Sequence, residues 1–396
     1  MLAIVSTHPI QYQTPIWQAL AADGRVPFEV WYMTDFGTKP SRDPEFGTTF
    51  RWDIDTLSGY PYRVLRSADG AVPADFWKCR VTENLRDRLR LAGVKAVWIQ
   101  GWQVAGYWQT AFAAKAVGAE LWLRAESNDL APTPLWKRLV KKIVLGRLFS
   151  MINRFLYIGE ANKRLYGSFG VPEARLSSAP YAVDNERFAR QAAALHGKRA
   201  ELRRQWGIAD DAFCVLFCGK FIGKKRPLDL VKAAQALRGD GRIPGIHLLF
   251  VGAGELGGAL RAACNVVQDA VETGANQCAP PSGRPPATFA GFLNQSEICQ
   301  AYVAADCLVL PSDHGETWGL VVNEAMASGL PCIVSDACGC AEDLAGPDWS
   351  YPLGDVAALA GRLDRMRKSL PLRIVRPPSF GNTVSAIVSA WQSLRE

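Results

Sequence analysis

The sequence lacks the features of membrane-spanning, secreted and disulfide-stabilised proteins. No apolar run approaches the roughly 18 residues of a membrane span. The first residues, MLAIVSTHPIQ, lack the basic segment that opens a signal peptide and are typical of a first strand, so we expect a cytoplasmic protein. The ten cysteines are scattered without paired CxxC sets, which favours free buried thiols. Cys338 and Cys340 lack the second pair that completes a zinc site, so we expect no metal.

The charge balance is modestly basic. The chain has 45 basic and 38 acidic side chains, a formal net charge of +7. This admits acidic ligands or an anionic membrane surface, but it is too mild to indicate nucleic acid. The length of 396 residues suggests two or three domains, and a hydrophobic fraction of 48% is ordinary for a soluble globular chain.

The most informative stretch runs from Asp306 to Asp343. Its short apolar run Cys307 to Leu310 predicts a buried parallel strand. A turn-rich segment follows, and then a predicted helix over 317–328 that Gly329 ends in the C-cap position. The run 331–335 predicts the next buried strand, so the chain has an α/β pattern here.

Two glutamates flank the start of this helix. Glu316 lies at its mouth and Glu324 eight residues further on, too far apart to share one atom but suited to hold two parts of an elongated ligand. Between them, the backbone N–H groups of Gly319, Leu320 and Val321 lie in the first turn and form an anion site suited to a phosphate. The alternative for Glu324 is a solvated side chain on an ordinary helix.

The run Glu316-Thr-Trp-Gly-Leu-Val-Val-Asn-Glu324 resembles the E-x-F-G-x-x-x-x-E signature of the retaining glycosyltransferases of GT-B architecture, family four or group 1. The segments 325–331 (AMASGLP) and 338–343 (CGCAED) also resemble that family, while Trp318 replaces its usual Phe. The resemblance implies two Rossmann-like α/β domains facing across a cleft. It implies that Glu324 binds the ribose hydroxyls of a nucleotide sugar, that Glu316 contacts the donor sugar, and that the amides between them meet the diphosphate.

A basic loop lies upstream, after the predicted strand 213–218. Lys220 and Lys225 lie on a glycine-bearing strand-to-helix loop, where clustered cations suit a diphosphate. The family has Arg and then Lys at these positions; Lys for Arg keeps the charge but loses the bidentate fork. The alternative is an exposed basic loop. Phe292, in the segment FAGFL, is expected near the nucleobase.

Polar residues follow two predicted strands of the first half. His8, Gln11 and Gln13 follow the strand 2–6, and Arg124 and Glu126 end another strand. Ligands bind at the carboxyl ends of strands in open α/β sheets, so we expect these residues in an acceptor cleft, with His8 joining Glu316, Lys220 and Lys225 as a catalytic candidate. The alternatives are a loop histidine without a role and an ion pair between the loops. Many relatives place a histidine where this chain has Gln100-Gly-Trp102.

Two further motifs carry less information. The segment 252–257 has the G-x-G-x-x-G spacing of a dinucleotide site after a predicted strand, but it lies mid-chain. Asp53 and Asp55 form a D-x-D, a metal motif of another glycosyltransferase fold, which we expect to be surface residues because no long apolar strand precedes them.

The predicted helix from Leu135 to Phe155 interleaves basic and apolar residues. Such a helix can lie on an anionic membrane surface, or it can pack on the sheet with a solvated basic face, which is the favoured interpretation. The Pro-rich segment 265–288 is predicted to be an insertion. We expect an acceptor domain at 1–188, a linker at 189–210, a nucleotide-sugar domain at 211–375, and a last helix at 376–396 that crosses back to the first domain.

The resulting hypothesis is a retaining, metal-independent glycosyltransferase without a cofactor. It would transfer a sugar from a nucleotide-diphosphate sugar, with UDP favoured over GDP, to a glycan, lipid-linked or small-molecule acceptor, in bacterial glycan assembly or small-molecule glycosylation. The alternatives are an epimerase or hydrolase of the same fold, an NAD-dependent enzyme, and a non-catalytic sugar-nucleotide-binding subunit. Product analysis without acceptor and an NADH titration distinguish them.

Overall fold

The computed structural model describes residues 1–36, 41–42, 49–50, 55–73, 75–270 and 283–394. The chain forms two compact units. The first holds Met1–Ser41, Ile54–Val183 and Pro378–Glu396, and the second holds Asp184–Pro377 with the short segment Arg42–Asp53. Within the described ranges, no helix combines the length and the apolar character needed to cross a bilayer.

The first unit is built on a seven-stranded parallel sheet. The strands of this half of the chain are β1 Leu2–Ser6, β2 Phe28–Tyr32, β3 Ser41–Arg42, β4 Thr49–Phe50, β5 Tyr62–Val64, β6 Ala96–Ile99, β7 Glu120–Leu123, β8 Arg154–Tyr157 and β9 Leu176–Ser178. The large sheet has the order β5-β2-β1-β6-β7-β8-β9, and β3 pairs with β4 in a small separate sheet. The helices between them are α1 Thr14–Asp23, α2 Leu85–Leu91, α3 Ala105–Val117, α4 Leu135–Met151 and α5 Glu160–Ser168.

The central strands of this sheet are apolar on both sides because both faces are covered. Ala3 and Val5 face a core that includes residues of α2, α3 and α4, while Leu2 and Ile4 face a core that includes α1. Alternate residues of a strand point to opposite faces, so a strand covered on both sides has a continuous apolar sequence. This burial leaves the carboxyl ends of the strands as the edge where polar side chains can be presented.

The second unit has its own seven-stranded parallel sheet. Its strands are β10 Phe213–Cys218, β11 Ile246–Val251, β12 Asn265–Asp269, β13 Pro286–Gly291, β14 Cys307–Leu310, β15 Cys332–Ser335 and β16 Ser350–Tyr351, in the order β12-β13-β11-β10-β14-β15-β16. Its helices are α6 Asn185–His196, α7 Arg199–Gln205, α8 Pro227–Gly239, α9 Gly257–Ala263, α10 Cys299–Ala304, α11 Leu320–Ala327, α12 Gly346–Trp349 and α13 Val356–Ser369. Because β10 and β14 are neighbours, the loops that follow them leave the same edge side by side.

The last helix, α14 Phe380–Gln392, belongs to the first unit. A capping box between Ser379 and Asn382 begins it. Its residues Ile387 and Trp391 are buried in the core that contains α1, and its Thr383 donates a 2.7 Å hydrogen bond to the carbonyl of Pro180.

The prediction of a linker at 189–210 is wrong. Most of this segment lies in α6 and α7, which the structure groups with the second unit. Arg199 and Arg203 from this segment both pair with Asp306, at 2.7 Å and 3.3 Å, at the amino end of β14. The polar, charged composition that indicated a linker belongs instead to helices with one buried side, where Phe188, Ala192 and Leu202 are covered.

The boundaries of three other predicted segments change. The helix predicted from Leu135 ends at Met151, and Phe155 lies in β8. The predicted insertion 265–288 begins in β12 and ends in β13, and its residues 271–282 lie outside the described residues. Asp53 also lies outside them, whereas Asp55 is exposed and accepts a 2.9 Å hydrogen bond from the N–H of Leu57.

Candidate donor-binding site

The loops after β10 and β14 form one cluster of charge in the second unit. The ammonium of Lys225 donates to Oε2 of Glu316, and the hydroxyl of Ser312 donates to the same oxygen at 3.3 Å. The two charged side chains are 20% and 14% exposed, so both remain reachable from solvent. The loops are also joined through their backbones, because the N–H of Asp313 donates to the carbonyl of Lys224 at 2.8 Å.

The chain around Lys225 is shaped by a tight turn. A short 3₁₀ turn covers Gly223–Lys225, and Arg226 then takes a left-handed conformation with φ of 48°. Pro227 follows as the first residue of α8, a position where the missing N–H costs nothing. The Arg226 side chain is held by Asp229 at 2.7 Å, so the turn presents Lys225 from a fixed backbone.

Helix α11 begins at Leu320, three residues later than predicted. Glu316 therefore lies in the turn before the helix, and the two glutamates do not share one helix. Gly319 is the N-cap residue, with φ of 109°, where a side chain would be strained. A Cβ at this position would also lie 2.6 Å from Leu310 Cδ2 and 3.3 Å from Cys340 Sγ. Only glycine fits here without strain or crowding.

The start of α11 is an anion-binding feature. The backbone N–H groups of its first turn, including those of Leu320 and Val321, have no acceptor within the helix. Both residues are half-buried, so their N–H groups lie at the positive end of the helix next to the ion pair of Lys225 and Glu316. A phosphate oxygen bound there would meet both backbone donors and a nearby ammonium.

Glu324 is buried, so the alternative of a solvated helix glutamate is wrong. It is only 4% exposed, although it carries a carboxylate. Tyr302 donates to its Oε2 at 2.6 Å, and the side-chain amide of Gln295 donates to its Oε1 at 3.2 Å. Arg187 donates to Oε1 of Gln295 at 2.7 Å, which orients the Gln295 amide with its NH₂ toward Glu324.

The residues that hold Glu324 are not predictable from the sequence around it. Tyr302 comes from α10, Gln295 from the loop after β13, and Arg187 from α6. Tyr302 lies 22 residues and Gln295 lies 29 residues from Glu324 along the chain, and Arg187 is farther still. No local spacing therefore connects them. The one available signal was Tyr302 itself, a hydroxyl group in the otherwise apolar run AYVAA.

The structure places the other two predicted donor residues at the same edge of the sheet. Lys220 follows β10 directly and is half-buried. Phe292 follows β13 and is 37% exposed. In the sheet order, β11 lies between β13 and β10, so Phe292 lies further along the edge than the ion pair does.

The glycines of the segment 252–257 have a packing role. Gly252 and Gly254 have φ of 130° and 152°. A Cβ on Gly252 would overlap the carbonyl oxygen of Gly219, and one on Gly254 would lie 2.8 Å from the N of Phe221. The N–H of Phe221 donates to the carbonyl of Ala253 at 2.8 Å, so the two loops are packed backbone to backbone. This close approach accounts for two glycines of the dinucleotide-like spacing.

In the first unit, three predicted residues lie on the loop after β1. The Nδ1 atom of His8 is 2.9 Å from the hydroxyl of Thr7, and burial lowers the pKa of His8 to about 4, so its imidazole is neutral near pH 7. Gln13 is buried and accepts a 3.4 Å hydrogen bond from Ser6. Gln11 is 5% exposed, and its side-chain oxygen has no hydrogen-bond partner in the described part of the chain.

Arg124 and Glu126 lie beyond the carboxyl end of β7, where β6 separates them from β1. Arg124 is 2% exposed and donates to the carbonyls of Ala179 and Pro180 at 3.2 Å and 3.3 Å. Its guanidinium carbon lies 4.4 Å from the centre of the Tyr181 ring, and the Tyr181 hydroxyl donates to Glu126. The two side chains are thus linked through Tyr181, which differs from the direct ion pair considered from the sequence.

The described residues contain no group of three or more His, Cys, Asp or Glu side chains arranged to hold a metal ion. The buried thiols near the site have raised pKa values: burial raises the pKa of Cys338 and Cys340 well above the usual range. Both thiols are therefore protonated and lie behind the Glu316 loop as packing groups.

Comparisons with known proteins find similarity to glycosyltransferases. Residues 198–369 match the family model described as glycosyl transferases group 1. A D-inositol 3-phosphate glycosyltransferase of Nocardia farcinica is 28% identical over 280 residues, which cover 66% of this chain and 56% of that protein. The chain thus spans about half the length of the curated relatives it matches.

Solved structures show the same fold over the whole chain. A glycosyltransferase from Rickettsia africae has a TM-score of 0.67 at 11% identity, covering 100% of this chain and 98% of that one. The Anabaena protein HepE, solved in complex with UDP and glucose, has a TM-score of 0.57 at 14% identity, covering 100% and 95%. Part of the second unit thus matches the group 1 glycosyltransferase model, and the fold of the chain is that of GT-B glycosyltransferases.

Proposed function

We propose that this protein is a retaining, metal-independent glycosyltransferase that moves a sugar from a nucleotide-diphosphate sugar to an acceptor hydroxyl. The observation that carries the proposal is the meeting of Lys225 and Glu316 beside the glycine-capped start of α11. This arrangement combines one ammonium group, one carboxylate and a row of backbone donors. A nucleotide-diphosphate sugar offers a matching set of groups, with two phosphates between a sugar and a ribose.

The donor would bind along this edge of the second sheet. The N–H groups of Leu320 and Val321 and the ammonium groups of Lys220 and Lys225 would hold the diphosphate. Glu324 would accept hydrogen bonds from the ribose hydroxyls, with Tyr302 and Gln295 fixing the orientation of its carboxylate. Glu316 would contact the donor sugar, and Phe292 would lie near the base.

The chemistry requires that the leaving diphosphate be stabilised. As the bond between the anomeric carbon and the phosphate oxygen breaks, negative charge grows on that oxygen. The acceptor oxygen bonds to the anomeric carbon on the same face of the sugar, and the proton of the acceptor hydroxyl passes to the leaving phosphate oxygen. In this proposal Lys225 and the positive end of α11 would lie beside that charge, and prepositioned donors of this kind stabilise a transition state without reorganising. These groups would do the work that a metal ion does in other transferases.

The acceptor would bind to the first unit, at the carboxyl ends of β1 and β7. His8, Gln11 and Gln13 lie at the first of these ends, and Arg124 and Glu126 lie at the second. His8 is neutral near pH 7, so its imidazole can accept a proton from a hydroxyl or donate a hydrogen bond to one. The bacterial glycan, lipid-linked and small-molecule acceptors remain the classes to test.

The test is a donor screen followed by product analysis. UDP-, GDP- and ADP-sugars are each added with and without EDTA, and the melting temperature reports binding because a ligand that binds only the folded state raises it. UDP-glucose is the first donor to test, since HepE of Anabaena was solved with it. Stabilisation that EDTA does not remove, followed by an NMR spectrum showing the donor's anomeric configuration in the product, is the expected result. Absence of binding to every nucleotide sugar would overturn the proposal, and hydrolysis or epimerisation in the presence of acceptor would replace it.

A further inference from the structure

Most of helix α4 stands outside the core of the first unit. Residues 131–140 are all exposed, and the helix is buried only near its end, at Leu145, Leu148 and Phe149. Six large apolar side chains of its earlier turns are between 48% and 81% exposed: Leu135, Trp136, Leu139, Val140, Ile143 and Val144. This is an unusual amount of exposed apolar surface for ten consecutive residues.

The apolar side of α4 faces away from the protein. The six exposed residues recur at positions i, i+1, i+4, i+5, i+8 and i+9, which places them along one side of a helix. The buried residues lie on the other side: Leu145 is seven residues beyond Arg138, and Leu148 is seven beyond Lys141. The amphipathic pattern is therefore inverted, because the side that packs on the core continues into basic residues. The interpretation favoured from the sequence, a packed apolar face and a solvated basic face, is wrong for these turns.

The charge on α4 has a single sign. The helix LWKRLVKKIVLGRLFSM contains five basic residues and no acidic one. Lys137, Arg138 and Lys142 are exposed, and the Lys137 ammonium lies 5.3 Å from the centre of the Trp136 ring. Basic side chains with long aliphatic stems flanking an apolar stripe, with a tryptophan at its border, are the features of helices that lie in a membrane interface.

We propose that α4 is a membrane-surface helix that binds the face of an anionic lipid bilayer, with the six apolar side chains in the headgroup and acyl boundary and the basic side chains on the lipid phosphates. The charge favours this occupant over a second copy of the chain, since pairing two α4 helices would bring ten like charges together. With 17 residues, the helix would lie in the plane of the surface.

The proposal does not depend on the glycosyltransferase activity, because vesicle binding needs neither donor nor turnover. The experiment is flotation of the full chain with vesicles of phosphatidylcholine alone and of phosphatidylcholine mixed with phosphatidylglycerol. Two variants test the two parts of the surface: L139S/I143S removes apolar area, and K141Q/K142Q removes charge. All four side chains lie on the exposed or half-buried turns, so both variants are expected to fold with unchanged melting temperature.

Matched controls change equivalent residues elsewhere. Val375 is 78% exposed in the second unit, so V375S removes an exposed apolar side chain away from α4. Lys198 and Lys232 are exposed in the second unit, so K198Q/K232Q changes the net charge as K141Q/K142Q does. These controls separate a local effect of α4 from general surface hydrophobicity and charge.

The expected result is that the wild type and both controls float with the anionic vesicles. The partition coefficients of L139S/I143S and K141Q/K142Q should each fall by about tenfold or more, since each cation near an anionic surface and each buried apolar side chain contributes on the order of a factor of five. Failure of the wild type to bind anionic vesicles would overturn the proposal, as would binding of both α4 variants at the wild-type level. A dimer in solution that L139S/I143S dissociates would assign α4 to a second copy instead.

Discussion

The ammonium of Lys225 reaches Oε2 of Glu316 across 91 positions of sequence, because their loops follow the neighbouring strands β10 and β14. We predict that Lys225→Ala lowers kcat with the nucleotide-sugar donor by ~30- to 1000-fold, by analogy with the ~2–4 kcal/mol lost when one oxyanion donor is removed. Stability should change little, since both side chains are partly exposed. Initial rates and thermal melting measure the two effects.

Lys224 provides the matched control for this prediction. It lies next to Lys225 on the same turn, but it is exposed, and the contact to the β14 loop uses its backbone carbonyl. Lys224→Ala removes one positive charge while keeping that backbone bond, so its turnover should stay within about twofold of wild type. Equal losses in both variants would mean that the general charge of the loop matters, and an unchanged rate in Lys225→Ala would remove Lys225 from the site.

Tyr302 is predicted to support donor binding through Glu324. Tyr302→Phe removes the hydroxyl that donates to Glu324 Oε2 at 2.6 Å, leaving a buried carboxylate with one fewer donor. Hydrogen bonds to charged groups contribute ~1.5–3 kcal/mol, so the free energy of unfolding should fall by an amount in that range. Because Glu324 then loses its fixed orientation, calorimetric titration should also show weaker binding of the nucleoside diphosphate, by about tenfold.

Tyr351 is the matched control, because a Tyr→Phe change there removes a buried hydroxyl that makes no contact with Glu324. It is 2% exposed, and its hydroxyl has no hydrogen-bond partner among the described residues. Tyr351→Phe should leave both stability and donor affinity close to wild type. If Tyr302→Phe lowers stability but leaves donor affinity unchanged, Glu324 holds the fold and does not bind the ribose.

The strands of both sheets could be predicted because they are buried on both faces and therefore appear as continuous apolar runs. Cys307–Leu310 is one such strand, and the structure gives the bounds that the sequence indicated. The ends of the helices could be predicted less well than the strands. The α11 start depends on the left-handed Gly319, and a glycine inside an apparent helix does not show by itself that it is the N-cap. The segment 189–210 has the polar composition of a linker, but polar composition alone does not distinguish a linker from a helix with one narrow buried side.

The candidate site was accessible from the sequence only where its residues lie in one short motif. Glu316, Gly319 and Glu324 fall within nine residues and resemble a known signature. Tyr302, Gln295 and Arg187 come from three separate elements, so their contact with Glu324 or with one another required the fold. The side of α4 that faces the core could not be predicted either, because an amphipathic pattern does not by itself identify the buried side.

Gly319 is predicted to be more sensitive to substitution than another left-handed glycine at the opposite end of the same helix. Gly319→Ala would place a Cβ at φ of 109° and 2.6 Å from Leu310 Cδ2, so the variant has both strain and a clash. Gly329→Ala, at φ of 84°, meets nothing within 4 Å and has strain alone. Urea unfolding should show a loss of ~1 kcal/mol for Gly329→Ala and of ~2–4 kcal/mol for Gly319→Ala. Only Gly319→Ala should also weaken binding of the diphosphate. Equal stabilities in the two variants would contradict the crowding at Leu310.

Stability is predicted to fall in mildly acidic solution through His247. This residue of β11 is 3% exposed, and its Nε2 lies 2.9 Å from the hydroxyl of Thr288. That hydroxyl donates to the carbonyl of Trp206 at 2.6 Å, so it accepts from His247, which keeps the Nε2 proton. Burial lowers the pKa of His247 from 6.5 to about 4. Between these values the unfolded chain binds more protons than the folded chain, so the free energy of unfolding falls as the pH falls.

The size of this loss follows from the pKa shift of His247. At about pH 4, the free energy of unfolding should be lower by on the order of 2–3 kcal/mol through this residue. His247→Gln keeps an N–H for Thr288 but cannot be protonated there, so urea unfolding at several pH values should show a flatter dependence than wild type. His8, whose pKa is also lowered to about 4, and carboxylates whose pKa is lowered by neighbouring donors, such as Glu29 and Glu83, would contribute to the part that remains. His196→Gln, the same change at an exposed histidine, is the control for the substitution itself and is measured at the same pH values. The same slope in His247→Gln and wild type would show that His247 is not the group that titrates.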